Sequence, residues 1–234
     1  MIIKIDDELI KAIKPEIDED KQEINKIKGS KFDLMTEWTF AKCFPAIYNE
    51  KSRILFLGTI TPKTGRQNGF YYTSKDNMFW DLLNYSLKKD KNDEDIFNIK
   101  NIDSLKEKLF ENNIAIADTV KTCIRKSGQD DGIILYQLNE EIIDVIFNSD
   151  IDTILCTNKN GVSSNLKKIF EISGKLNYKK PITIKNKKTN EIKTVTIVNL
   201  SSPSKSNLEK GEIEQEWKQA ILTALKQNIL TASK

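Results

Sequence analysis

The sequence has no histidine and only three cysteines in 234 residues. Without histidine the chain lacks the side chain that titrates nearest neutral pH and the commonest zinc ligand. Cys43, Cys123 and Cys156 are scattered and form no Cys-x-x-Cys pair. Neither a disulfide framework nor a four-thiolate iron–sulfur cluster within one chain is therefore expected. No apolar run approaches the ~20 residues that a bilayer span needs. No Gly-x-Gly-x-x-Gly or P-loop pattern marks a dinucleotide or nucleoside triphosphate site. Residues 1–10 lack a basic stretch followed by an apolar one, so no secretory signal is expected. These absences together predict a cytoplasmic protein whose chemistry uses carboxylates, amides, hydroxyls or backbone groups.

What is present reads as a soluble globular chain, 38% hydrophobic and 30% charged. Its length suits one domain with an extension. The net charge is only +3, but it is unevenly spread. Between Ile151 and Asn207 eleven lysines face only Asp152, Glu171 and Glu191 as acids. That excess suits a polyanion partner, and it is also what an ordinary lysine-rich solvated surface looks like.

Residues 1–35 read as an amino-terminal helical extension, with Leu9, Ile10 and Ile13 at helical spacing and a break at Gly29 and Ser30. Residues 36–234 then alternate strand and helix. Apolar runs at 53–58, 114–117 and 151–157 predict buried parallel strands. Helical periodicity predicts helices at 78–87, 102–111, 138–147, 162–172 and 208–230, with Ser163 or Ser164 capping the fourth. Segments 182–184 and 193–200 flank a turn at 187–190 and predict a hairpin. Strands separated by helices imply an α/β fold, with ligands bound where the strands' carboxyl ends meet the loops.

Three of those loops carry unusual residues. The first, Gly58 to Trp80, holds Phe70, Tyr71 and Tyr72 in a polar, glycine-containing stretch. Aromatic faces exposed there would stack on a flat base, and rings packed beneath the loop are the equal alternative. The second, Ala117 to Asp131, places Asp118 at a strand end, where a carboxylate serves either site chemistry or a turn. The third, Val198 to Asn207, is rich in serine ahead of a helix, a composition suited to phosphate oxygens and equally common in plain loops.

Taken in order, these pieces resemble the uracil-DNA glycosylase superfamily, closest to its hypoxanthine-DNA glycosylase branch and next to its mismatch-specific branch. The resemblance rests on Phe44-Pro45-Ala46-Ile47-Tyr48 before the first strand, Gly58-Thr59 at its end, and Tyr71-Tyr72 followed by Asn77-Met78-Phe79-Trp80. It continues through Asp118-Thr119-Val120, Cys123-Ile124-Arg125-Lys126-Ser127-Gly128-Gln129-Asp130 and Leu200-Ser201-Ser202-Pro203-Ser204-Lys205-Ser206-Asn207. The chain departs from the pattern at four places. Pro62 comes one position late, and Ile60 replaces the mismatch-specific branch's water-positioning asparagine. Ser127-Gly128 reverses the expected order, and Ser201 stands where proline is usual.

The resemblance implies a three-layer α/β/α sandwich around a central, mostly parallel four-stranded sheet. It also implies DNA as partner, with no cofactor, no metal and a monomeric chain favoured. Excision of a deaminated or mismatched base would give Tyr72, beside Phe79, the stacking role. Backbone amides around Thr59 and Ile60 would bind the base. Asn77 would position water or contact the sugar, with a helix N-cap as its bland alternative, and Asp118 would be the second catalytic candidate. Ser202, Ser204, Lys205 and Asn207 would grip the backbone. Arg125 and Lys126 would contact phosphate or form surface salt bridges. Two other readings share these residues: a DNA-binding module on the same fold without catalysis, and a nucleoside or nucleotide hydrolase indifferent to DNA.

Overall fold

The computed structural model describes residues 39–90, 92–125, 133–158, 161–204 and 210–231. The expected helix within residues 1–35 lies outside them. In chain order the elements are β1 (Thr39–Lys42), β2 (Ile54–Gly58), α1 (Lys63–Gln67), α2 (Phe79–Leu87), α3 (Ile102–Glu111), β3 (Ile114–Asp118) and β4 (Val120–Arg125). There follow β5 (Ile133–Leu138), α4 (Glu141–Phe147), β6 (Thr153–Cys156), α5 (Gly161–Ile169), β7 (Pro181–Lys185), β8 (Ile192–Asn199) and α6 (Lys210–Thr231).

The main sheet has five strands in the order β3-β2-β6-β8-β7. The first four run parallel, with Leu57 level with Ala117 on one side and Cys156 on the other. Every residue of β2 and β3 is buried because helices cover both faces, which is why these strands are continuous apolar runs. On one face Phe56, Ile116 and Leu155 pack against α2, α3 and α6 through Phe79, Leu83, Leu105, Trp217 and Ile221. On the other, Leu55, Leu57, Ile154 and Ile197 pack against α4 and α5 through Ile142, Ile146, Val162 and Leu166. Three layers result. No helix among the described residues is long and apolar enough to cross a membrane.

The sheet differs from expectation in two ways. The hairpin around residues 187–190 forms, and its first strand joins the sheet: β7 pairs antiparallel with β8 as a fifth, edge strand. In addition, the stretch after Asp118, expected as loop, contains β4, which pairs antiparallel with β1 and β5 in a separate three-stranded sheet. Val120, Thr122 and Ile124 alternate with polar residues as a strand should, but the polar sequence around them hid that alternation. The capping expectation for α5 also changes. Ser163 Oγ donates to Asn199 Oδ1 at 2.7 Å, while Asn158 Oδ1 accepts from the Gly161 amide at the helix start.

Candidate base-binding site

Parallel alignment of β2, β3 and β6 brings Gly58, Asp118 and Thr157 to the same end of the sheet. Asp118 is only 2% exposed. Its Oδ2 accepts from the backbone amide and hydroxyl of Thr61, at 2.7 and 2.9 Å. Two charge-assisted bonds on one oxygen fix the carboxylate and leave Oδ1 as the oxygen that faces Gly58. A Cβ added to Gly58 would lie 2.6 Å from Asp118 Oδ1 and 2.8 Å from the Tyr72 hydroxyl. Glycine is therefore required where the strand ends, because ring edge and carboxylate both close over the bare backbone. The negative charge reaches its neighbours. Burial, with Asp118 as the next contribution, pushes the Cys43 thiol up to about 11 and the Tyr71 hydroxyl above its ordinary range.

Tyr72 is held in an unusual way. Its φ is +56°, a left-handed conformation that costs a tyrosine about 1–2 kcal/mol. The ring stacks on Phe79 at 4.0 Å with 9° between planes, and its hydroxyl lies 3.3 Å from Thr157 Oγ1. Thr157 in turn donates to the Leu57 carbonyl at 3.0 Å. Phe79 is itself wedged edge-on against Phe56 and Trp217. One face of Tyr72 is thus committed to the core while the residue remains half-exposed.

Asn77 and the last loop meet beside this ring. Asn77 Oδ1 accepts from the Phe79 amide at 2.9 Å, the capping role, at the first turn of α2. Asn77 pairs antiparallel with Ser204, and the Met78 amide donates to the Pro203 carbonyl at 2.7 Å. Ser202 and Ser204 lie with their hydroxyls 2.9 Å apart. Glu216 and Trp217 of α6 pin the same loop through the Ser201 amide and carbonyl, both at 3.0 Å. Tyr72, Asn77, Asp118, Ser202 and Ser204 therefore share one end of the molecule.

Three expected site residues take other places. Phe79 is fully buried and supports Tyr72 from beneath, so it offers no face to a base. The Ile60 side chain is 4% exposed and packs with Ala41, Val120 and Cys123 beneath the second sheet, leaving only its backbone toward the site. Arg125 is fully buried, so it forms neither a phosphate contact nor a surface salt bridge at the protein surface. Its Nη2 donates to the Thr61 carbonyl at 3.3 Å, which Arg66 Nη1 shares at the same distance. Desolvation, and then the neighbouring Arg125 charge, lower the Arg66 pKa. Lys126, Lys205 and Asn207 lie outside the described residues.

Sequence reasoning missed Thr61 and the loop after β6. Thr157-Asn158 follows a buried strand just as Gly58-Thr59 does, and the rule that ligands bind at strand ends applied to it equally. Around Asp118 a buried polar layer completes the setting. Asn139 Nδ2 donates to the Asp118 carbonyl at 2.8 Å, and Asn165 Nδ2 donates to Thr119 Oγ1, which donates to the Gly58 carbonyl. Replacing Gly58 with alanine is expected to destabilise the fold by about 1–3 kcal/mol through this overpacking. Urea unfolding measures it, and an unchanged midpoint would show that Asp118 and Tyr72 do not close over Gly58.

No protein-family model matches the chain, and no curated protein does. Its fold is similar to a solution NMR structure of a putative uracil DNA glycosylase from Methanosarcina acetivorans, with a TM-score of 0.56. The two chains are 18% identical over 80% of this chain and 99% of the other, a likeness of fold.

Proposed function

We propose that the protein is a DNA glycosylase that rotates a deaminated or mismatched base, hypoxanthine or uracil, out of DNA and hydrolyses its N-glycosidic bond. The observation that carries this reading is the arrangement of Tyr72. It is an aromatic platform backed by Phe79, half-exposed, and set beside the one buried carboxylate at the strand ends. The neighbour's described activity and the shared fold support it. Cleavage passes through a cationic sugar and an anionic base. Asp118 Oδ1 is the acceptor that steadies the sugar or takes a proton from the attacking water. Backbone amides at Thr59 and Ile60 meet the departing base. Ser202 and Ser204 hold the strand beside Asn77, whose Nδ2 contacts the sugar. Extrusion costs least at weakly paired lesions, so pairing itself contributes selectivity. The proposed enzyme is monofunctional and needs no metal, because a bound water is its nucleophile.

Duplexes with inosine, uracil or thymine opposite guanine, treated with alkali after incubation, test the reading. Breaks at the lesion support it. A DNA-binding module without catalysis has two observations in its favour. Asn77 Oδ1 is already occupied by the Phe79 amide, and Asp118 is nearly sealed from solvent. That module would bind DNA with steep salt dependence and leave every lesion intact.

Tyr72 gives a sharper prediction. Tyr72→Leu is expected to weaken lesion binding by about 1–3 kcal/mol, the worth of one base–aromatic stack. Tyr72→Phe keeps the stack and is expected to retain most of the affinity. Equal affinity for wild type and Tyr72→Leu in a fluorescence-anisotropy titration removes the platform role.

A further inference from the structure

Thr59 Oγ1 is buried and has no hydrogen-bond partner. Folded proteins keep few such groups, because an unpaired buried hydroxyl has given up water and gained nothing. Gly161, at the start of α5, faces it. A Cβ at Gly161 would lie 3.3 Å from Thr59 Oγ1 and 3.9 Å from Asn158 Nδ2. Hydroxyl and carboxamide therefore border the same small space, kept clear by the absent side chain. The Gly161 amide donates to Asn158 Oδ1 at 3.3 Å, which orients the carboxamide with its oxygen toward the helix and its Nδ2 away from it. The preceding residue, Thr157, meets the Tyr72 hydroxyl, so this space adjoins the edge of the aromatic platform.

We propose that Thr59 Oγ1 and Asn158 Nδ2 form a subsite that reads the edge of the extruded base by donating hydrogen bonds to an exocyclic carbonyl oxygen. The inference rests on the glycosylase reading and deepens it by naming what distinguishes one base from another. A carboxamide NH2 only donates, and a hydroxyl can donate. A keto base such as hypoxanthine or uracil presents an acceptor to them. An amino base such as adenine or cytosine presents an NH2, and a donor meeting a donor leaves both buried groups unpaired. Sites of this kind discriminate strongly, because the wrong ligand leaves the site's own polar groups without partners. Deamination converts the amino bases into the keto ones, so the subsite separates damaged from undamaged bases.

The test uses uncleavable 2′-fluoro duplexes carrying inosine, adenosine, uridine or cytidine opposite a tetrahydrofuran abasic residue, so that pairing strength drops out. Affinities are measured by fluorescence anisotropy for wild type, Thr59→Val, Asn158→Ala and Asn158→Asp. Wild type is expected to prefer the keto member of at least one pair tenfold or more. Thr59→Val and Asn158→Ala are each expected to reduce that preference about tenfold by weakening keto binding alone. Asn158→Asp exchanges donor for acceptor and is expected to move the preference toward the amino base. Thr59→Val is nearly isosteric and removes only an unpaired hydroxyl, so its melting temperature is expected to equal or exceed that of wild type. If wild type shows the preference and both Thr59→Val and Asn158→Ala keep it intact, the subsite is wrong and the glycosylase reading survives. If wild type binds all four bases equally, both fall together.

Discussion

Asp118→Asn is expected to slow base excision by about 10²–10⁴-fold in single-turnover assays, the range of a positioned proton acceptor, while the protein stays folded. Asparagine has the same shape, and its Oδ1 can accept the two hydrogen bonds that Thr61 gives to Asp118 Oδ2. What disappears is the charge, together with the acceptor at Oδ1, where the amide would present a donor toward Gly58 and the Tyr72 hydroxyl. A cationic sugar gains nothing from that donor, and water gains no base. The same substitution is expected to let the Cys43 thiol and Tyr71 hydroxyl ionise at lower pH. Burial still raises both, but the Asp118 contribution is gone. An excision rate within twofold of wild type would rule Asp118 out of the chemistry, leaving Asn77 as the residue to replace next.

Trp217→Ala is expected to destabilise the protein by about 3–5 kcal/mol, the usual cost of emptying a large buried aromatic site. Trp217 is fully buried, stacks on Phe56 with centroids 5.6 Å apart, and meets Phe79 edge-on at 5.7 Å. Its Nε1 also donates to the Ser201 carbonyl at 3.0 Å, so truncation leaves that carbonyl without its donor. Trp217→Phe restores most of the volume but not the bond and is expected to recover about half of the loss. The effect reaches the site by two routes. Phe79 supports the Tyr72 ring, and Ser201 begins the loop that lies against Asn77 and Met78. Urea unfolding gives the stability change. A Trp217→Ala protein within 1 kcal/mol of wild type would mean that α6 does not seal this core.

The strands of the main sheet were readable because a parallel strand covered on both faces must be apolar at every position, as in Ile54–Gly58 and Ile114–Asp118. The second sheet was not. Its strands are short and half-polar, and β4 earns its place only by pairing with β1 and β5, partners distant in sequence. Tyr72, Asn77 and Asp118 could be nominated because each stands in a loop leaving a strand's carboxyl end. Thr157 and Asn158 satisfied the same condition and were overlooked, since a threonine and an asparagine are unremarkable in any loop.

The sequence by itself determined the α/β alternation, the strand ends at which a ligand can bind, and the exclusion of histidine-based chemistry. Only tertiary structure decided which way the side chains at those ends point. Ile60, Phe79 and Arg125 belong to the same segments as Thr59, Tyr72 and Asp118, yet they turn inward. The reason is that facing in an irregular segment is set by long-range packing. A register shift between Ile124 and Arg125 breaks the alternation from which orientation would be read, and the left-handed backbone at Tyr72 lays its ring on Phe79.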